Sequence, residues 1–72
     1  MNIQHVRIWA IYDHPKDYPN YYVARLFLSD RLTNQVIARS NLEELRTIFK
    51  DQHLTCINRQ KDDDPVIVET WF

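Results

Sequence analysis

The sequence predicts an α+β domain with a single mainly antiparallel sheet and one helix packed on one face. In several stretches the side chains alternate with a period of two, or aromatic and β-branched residues predominate, and both patterns are typical of strands. Turn-forming residues separate these stretches. One stretch near the middle of the chain has helical spacing instead. Seventy-two residues suffice for one small domain, which we expect to span 1–72.

The strand-like stretches lie on both sides of this helical stretch. We predict strands at 3–12, 21–28, 35–39, 54–59 and 66–72. Between the first two lies DHPKDYPN (13–20), whose prolines, aspartates and asparagine are typical of a loop. The predicted succession along the chain is therefore β-β-β-α-β-β, a meander followed by one helix and a hairpin.

The helix has the clearest local signal. Ser40 with Glu43 fits the capping box, and Asn41 with Glu44 offers the same arrangement one residue later. The apolar residues that follow share one helical face: Leu42, Leu45, Ile48 and Phe49. We therefore predict a helix at about 41–52.

Strand alternation predicts two different sheet faces. Small and aliphatic residues should lie under the helix: Val6, Ile8, Ala10, Tyr22, Ala24, Leu26, Leu28, Val66 and Val68. The opposite face should hold Arg7, Trp9, Ile11, Val23, Arg25, Phe27, Ile67, Glu69 and Trp71. Because Trp, Phe and Arg are enriched at recognition surfaces, the candidate partner-binding residues are Arg7, Trp9, Arg25, Phe27, Glu69 and Trp71. The alternative is that Arg–Glu pairs and loop residues simply cover the aromatic rings.

The composition excludes some classes of function. Nine basic against ten acidic side chains give a net charge of −1, whereas a domain that follows duplex phosphates is usually strongly basic. The chain has no glycine, so it contains neither a P-loop nor a Rossmann fingerprint. Turns that need a positive φ must use other residues, and we expect them at Asn20, Asn34 and 62–64.

Cysteine usage and hydropathy predict the compartment. Cys56 is the only cysteine, which excludes an intrachain disulfide and favours the reducing cytoplasm. No apolar run approaches the roughly 20 residues of a membrane span, and no basic-then-apolar leader opens the chain. We therefore expect a soluble, cytoplasmic protein that does not contact a membrane.

Two acidic stretches are candidate metal ligands. Asp13, His14 and Asp17 could serve a metal-assisted hydrolase, but a loop capped by its own aspartates is favoured because no second ligand cluster follows at a defined spacing. The aspartates at 62–64 could bind a divalent cation. They lack the ligand pattern of a calcium loop, so a solvated hairpin turn is favoured there. We expect no metal and no cofactor.

A thiol nucleophile is the other catalytic candidate. Cys56 could act with His5, His14 or His53 as its base. Because Cys56 lies in an apolar strand, it is expected to act as a small hydrophobic residue instead. We expect no catalytic residue.

Tyrosines surround the 13–20 loop and could stack single-stranded bases together with Lys16 and Arg25. They are Tyr12, Tyr18, Tyr21 and Tyr22. Such tyrosines more often anchor a long loop to the sheet, with their hydroxyls at the rim.

Two stretches carry a family resemblance. IYDHPKDYPNYYVARLF (11–27) and DDPVIVETWF (63–72) resemble a group of short bacterial and phage-type proteins with a YDHPxDYPxxYVAR-like opening and a DDPVIVETW-like ending. The resemblance implies a stand-alone small domain, in some cases carried by mobile elements. It brings no activity with it.

The sequence as a whole favours a non-enzymatic interaction module. It would associate with itself, as a homodimer, or bind another protein through the sheet face opposite the helix. The alternative is a small nucleic-acid-binding domain that uses Arg7, Arg25 and Arg39 with the same aromatic residues. A metal-dependent enzyme based on Asp13, His14 and Asp17 is a distant third.

Overall fold

The computed structural model describes residues 6–61 and 64–72. They form one antiparallel sheet of five strands and one helix, which confirms the α+β class. The elements are β1 (Arg7–Asp13), β2 (Tyr22–Leu28), β3 (Arg31–Arg39), α1 (Leu42–Asp51), β4 (Cys56–Asn58) and β5 (Ile67–Trp71). No helix among these residues is long and apolar enough to cross a membrane.

The strands do not lie in chain order within the sheet. Their order is β3-β2-β1-β5-β4, so the last strand of the chain pairs with the first. The strands therefore lie side by side in a different order from the predicted succession β-β-β-α-β-β along the chain. Since β1 pairs with β2 on one side and β5 on the other, it is the central strand.

The helix begins at the second of the two predicted caps. The Oδ1 of Asn41 accepts a hydrogen bond from the backbone N–H of Glu43 at 2.8 Å, so Asn41 and not Ser40 is the N-cap. The predicted apolar stripe faces inward: Leu45 and Phe49 are buried, and Leu42 and Ile48 are half-buried against the same core.

The helix ends in a Schellman motif that uses histidine in place of glycine. His53 has a φ of 60°, and its N–H donates to the carbonyl of Lys50 at 2.9 Å. The N–H of Leu54 donates to the carbonyl of Phe49 at 3.0 Å, and the Leu54 side chain packs on the core. These bonds satisfy helix carbonyls that would otherwise lack partners.

Positive φ angles occur at other residues than the sequence predicted. In the described part of the chain they belong to His14, Ser29 and His53. The expectation for Asn20 and Asn34 is wrong, and Asp62 and Asp63 lie outside the described residues. Ser29 and Asp30 form a two-residue turn between the paired residues Leu28 and Arg31, so the third strand begins at Arg31 and not at 35. Asn34 is therefore part of a strand.

A bulge in β3 explains how polar residues fit into that strand. The β2–β3 ladder pairs Arg25 with Val36 and Phe27 with Leu32, which leaves additional residues of β3 opposite Leu26. The Oγ1 of Thr33 donates to the Leu26 carbonyl at 2.8 Å and accepts from the Gln35 N–H at 3.1 Å. The Thr33 hydroxyl thus satisfies backbone groups where the regular ladder is interrupted.

Both tryptophans lie on the side of the sheet that α1 covers. The ring of Phe49 lies 5.4 Å from that of Trp9 and 5.8 Å from that of Trp71, between ring centroids. All three side chains are buried. The prediction that Trp9 and Trp71 occupy the open face is therefore wrong.

For Trp9 the error comes from the register between β1 and β2, and for Trp71 it comes from a β-bulge at Val68, which reverses the side-chain alternation within β5. Trp9 pairs directly with Leu26, and directly paired residues point to the same side of a sheet. Ile8 pairs with Phe27, which places Ile8 on the side away from the helix. Alternation shows which residues of one strand share a side of the sheet. It does not show which residues of the neighbouring strand lie on that same side, because this depends on the register between the two strands.

Candidate functional site

The six predicted partner-binding residues do not form one surface. Trp9, Glu69 and Trp71 are buried on the helix side. Arg25 and Phe27 lie on the opposite side, since they pair with Ala10 and Ile8 of β1. Arg7 is exposed, and it pairs with Leu28 at a helix-side position of the register.

The side of the sheet away from α1, here called the open face, is almost entirely apolar. Its members follow from the strand pairings: Ile8, Ala10, Tyr12, Val23, Arg25, Phe27, Leu32, Val36, Ala38, Ile57, Ile67 and Thr70. Arg25 is the one charged side chain among them. The sequence correctly predicted Val23, Arg25, Phe27 and Ile67 on this face. It placed Ile8 and Ala10 on the helix side, and it assigned no residue of β3 or β4 to either face.

Exposed large hydrophobic residues concentrate on this side. Their exposed fractions are 57% for Val6, 52% for Leu32, 48% for Phe72 and 39% for Ile57. Leu32 and Ile57 are open-face residues by pairing. Val6 and Phe72 extend the hydrogen-bonded ladders by one residue each. The carbonyl of Val6 accepts from the Ser29 N–H, and Phe72 exchanges two backbone hydrogen bonds with Thr55. Because side chains alternate along a strand, both residues lie on the side of Ile8. Among the described residues, the one other exposed large hydrophobic side chain is that of Tyr21, in the 14–21 loop.

These residues define an apolar end of the open face. Leu32 pairs with Phe27, and Phe27 pairs with Ile8, so the three form one row across β3, β2 and β1. Val6 and Phe72 lie beside this row. We call Val6, Ile8, Phe27, Leu32 and Phe72 the apolar end.

The opposite end of the open face holds a charge that is already neutralised. The guanidinium of Arg25 lies 5.3 Å from the centroid of the Tyr12 ring, and its Nη2 lies 2.5 Å from the Oδ2 of Asp17. The hydrogen bond from Arg25 lowers the pKa of Asp17. Burial raises the pKa of Tyr12, although Arg25 acts in the opposite direction. The 14–21 loop thus supplies the counter-ion for Arg25.

The two edges of the sheet are poorly suited to accept a further strand. The β3 edge is interrupted by the bulge around Thr33, and the β4 edge is only three residues long. Bulges and short edge strands are common devices that discourage edge-to-edge pairing. A partner would therefore contact the open face more readily than either edge of the sheet.

On the helix side, a β-bulge turns Glu69 toward α1. Ile11 pairs with Glu69 and Tyr12 with Ile67, so Val68 is the additional residue in β5. Val68 packs against the core cluster, and Glu69, only 4% exposed, also points to the helix side. Consecutive residues can share a side only where a bulge breaks the alternation.

The buried Glu69 carboxylate is fully engaged. It accepts from Arg46 Nη2 at 2.8 Å, from Arg46 Nε at 3.2 Å and from Trp71 Nε1 at 2.7 Å. Burial raises the pKa of Glu69, but the bonds from Arg46 and Trp71 outweigh that effect and leave its pKa below the usual range. Glu69 raises the pKa of Arg46 in turn, and Glu43 adds to this by a further ion pair. The ion pairs of Arg46 with Glu43 and Glu69 thus join the helix to β5.

Cys56 borders this cluster in a shallow pocket of about 370 Å³ that Arg46, Lys50 and Asn58 also line. Each residue of β4 is exposed, so Cys56 does not pack into the core as the small hydrophobic residue that the sequence predicted. Partial desolvation of the thiol by its neighbours raises the pKa of Cys56, and the nearby Glu69 carboxylate raises it further. A raised pKa disfavours the thiolate, which is the nucleophilic form.

The predicted metal ligands do not converge. Asp13 Oδ1 lies 2.5 Å from His14 Nδ1, and the His14 ring packs edge-on against Tyr22 at 4.8 Å. Asp17 is bound to Arg25 instead. Across residues 6–61 and 64–72, no group of three His, Cys, Asp or Glu side chains is placed to hold a metal ion. Asp62, Asp63 and His5, which were also considered, lie outside those ranges.

The arginines expected to bind nucleic acid are also separated. Arg7 and Arg39 pair with Leu28 and Tyr22 at helix-side positions, whereas Arg25 lies on the open face. Arg39 donates to the carbonyl of Ala38 at 2.8 Å. The three do not form one cationic surface.

Comparison of the chain with protein-family models, curated proteins and solved structures gave no match. Its function is therefore inferred from its own residues.

Proposed function

We propose that this chain is a non-enzymatic interaction module that binds protein, either a second copy or another chain, through its open face. The observation that carries the proposal is the position of the exposed apolar side chains Val6, Leu32, Ile57 and Phe72, all on the side away from α1. The largest contiguous apolar patch on a small domain, about 300–600 Å², is often a functional surface.

The chemistry of the other candidate sites supports this choice. The thiol of Cys56 has a raised pKa, and Glu69 is saturated by Arg46 and Trp71. Asp17 is bound to Arg25. The carboxylates are occupied by ion pairs and the raised pKa of the thiol disfavours its nucleophilic form, which argues against an acid, base or nucleophile among these three.

Site-specific photo-crosslinking tests the proposal. A benzoylphenylalanine at position 32 should crosslink the protein to a discrete protein species, itself included, in the cells that produce it. The same probe at Glu44, an exposed helix position, serves as the matched control and should give no such product. The proposal requires that Phe27→Asp remove the product. An equal yield from both positions, or no protein product at position 32, would contradict it.

The alternative, nucleic-acid binding through Arg7, Arg25 and Arg39, has weaker support. A phosphate-binding surface needs several cations together, but Arg25 is paired with Asp17 and the other two arginines are on the helix side. Its test is binding to labelled single-stranded and duplex oligonucleotides at rising salt. Salt-sensitive binding that Arg25→Ala weakens would favour the alternative over the protein-binding module.

A further inference from the structure

We infer that the occupant of the open face is a second copy of this chain, docked through the apolar end about a two-fold axis. This inference rests on the proposed function and specifies its partner. It places Phe27 and Leu32 of each copy at the centre of the contact, with Val6, Ile8 and Phe72 around them.

The charge distribution favours a copy of the same chain. Near a two-fold axis each side chain lies close to its own equivalent, so any charge there would face a like charge. The five side chains of the apolar end carry no charge. Arg25 is the one charged member of the open face, and Asp17 of the same copy neutralises it. No pair of like-charged side chains therefore opposes the docking of two open faces.

The edges of the sheet favour contact through the face. The bulge at Thr33 and the short β4 leave neither edge a regular template for strand addition. A dimer formed by extending the sheet from β3 would also leave Phe27 and Phe72 uncovered. Face-to-face docking covers them on both copies at once.

The size of the apolar end determines the expected strength. For a patch of a few hundred Å² on each copy, which is about the largest that a small monomeric domain exposes, the contact totals less than about 1,200 Å² and lies in the range of weak and transient complexes. We therefore expect a dissociation constant of about 10 µM or weaker. Because the contact is apolar, the constant should change by less than about twofold between low and high salt.

Sedimentation equilibrium of the 72-residue chain tests the inference. The wild type should be a monomer–dimer mixture at high concentration. Leu32→Asp and, separately, Phe72→Asp should each weaken dimerisation at least about tenfold, since each places a charged side chain within the apolar contact. Tyr21→Asp is the matched control: Tyr21 is 42% exposed but lies in the loop, and its replacement should leave dimerisation unchanged. Circular dichroism of each variant verifies the fold, and two independent sites keep the test valid should one variant unfold.

The outcomes separate this inference from the proposed function. A wild type that stays monomeric near 1 mM overturns the dimer, as do folded Leu32→Asp and Phe72→Asp variants that dimerise normally. If position 32 then crosslinks to a different protein, the interaction module stands without self-association. If it crosslinks to no protein, both fail.

Discussion

Arg46 of the helix holds Glu69 of β5 by two hydrogen bonds, Nη2 to Oε1 at 2.8 Å and Nε to Oε2 at 3.2 Å. The carboxylate is buried, and Trp71 supplies its third donor. A buried carboxylate without such partners would be strongly destabilising, so this contact is needed wherever Glu69 is present. It also holds α1 against β5, the strand that pairs with β1.

We expect Arg46→Ala to lower the free energy of unfolding by about 2–3 kcal/mol, because it removes the cation from a buried carboxylate. Glu43→Ala is the control, since Glu43 is the exposed partner of the same guanidinium. Its loss should cost about 0.5 kcal/mol, as for an ordinary helix-surface pair. Urea denaturation of both variants measures the difference. Equal effects would mean that Glu69 does not depend on Arg46.

The lowered pKa of Glu69 predicts a specific loss of stability in acid. A carboxyl with a lower pKa in the folded state stabilises the fold above its ordinary pKa of about 4.3, and this contribution disappears as the pH falls through the folded-state value. Glu69→Gln should therefore reduce the dependence of stability on pH below about 4.3. Urea midpoints measured from pH 7 down to pH 3 test this. An unchanged acid slope in Glu69→Gln would assign the acid sensitivity to other groups.

The sequence predicted the elements well because their signals are local. The apolar spacing from Leu42 to Phe49 is sufficient to place the helix within one residue at either end. The strand at 21–28 also agrees closely with Tyr22–Leu28. The start of β3 was missed because a two-residue turn at Ser29 and Asp30 left polar residues inside a strand, where the exposed edge and the bulge tolerate them.

The candidate site could not be obtained in the same way. Its location depends on whether Trp9 or Ile8 faces the helix, and that depends on the register across the loop that joins β1 and β2. No local pattern in an eight-residue loop fixes this register. One signal was available: two tryptophans and Phe49 could fill the thin core of so small a domain better than Ala10 and Val6.

His53 offers a test of the C-terminal cap. Its φ of 60° is unfavourable for a residue with a Cβ, and glycine adopts such an angle without that penalty. We expect His53→Gly to stabilise the domain by about 0.5–1 kcal/mol. Gln52→Gly is the matched control, because Gln52 has a φ of −90°, which any residue adopts without strain. This variant should destabilise the domain by about 0.5–1 kcal/mol, since glycine gives the unfolded chain more conformational freedom. Thermal unfolding of the two variants should shift in opposite directions; shifts of the same sign would argue against the cap.

The last prediction compares two neighbouring aromatic residues on opposite sides of the sheet. Trp71 is buried against Phe49 and donates to Glu69, so Trp71→Ala should cost about 3–5 kcal/mol of stability. Phe72 is 48% exposed, and Phe72→Ala should cost about 1 kcal/mol or less. The sequence had placed Trp71, and not Phe72, among the six candidate partner-binding residues.

Urea denaturation and sedimentation equilibrium on the same variants separate stability from association. Trp71→Phe is the milder core variant: it keeps a ring against Phe49 but removes the donor to Glu69, and it should lose about 1–2 kcal/mol while dimerising as the wild type does. Phe72→Ala should retain its stability and lose association. If Trp71→Phe instead weakened the dimer and left unfolding unchanged, Trp71 would belong to the contact surface, and the assignment of the two sheet faces would have to be reversed.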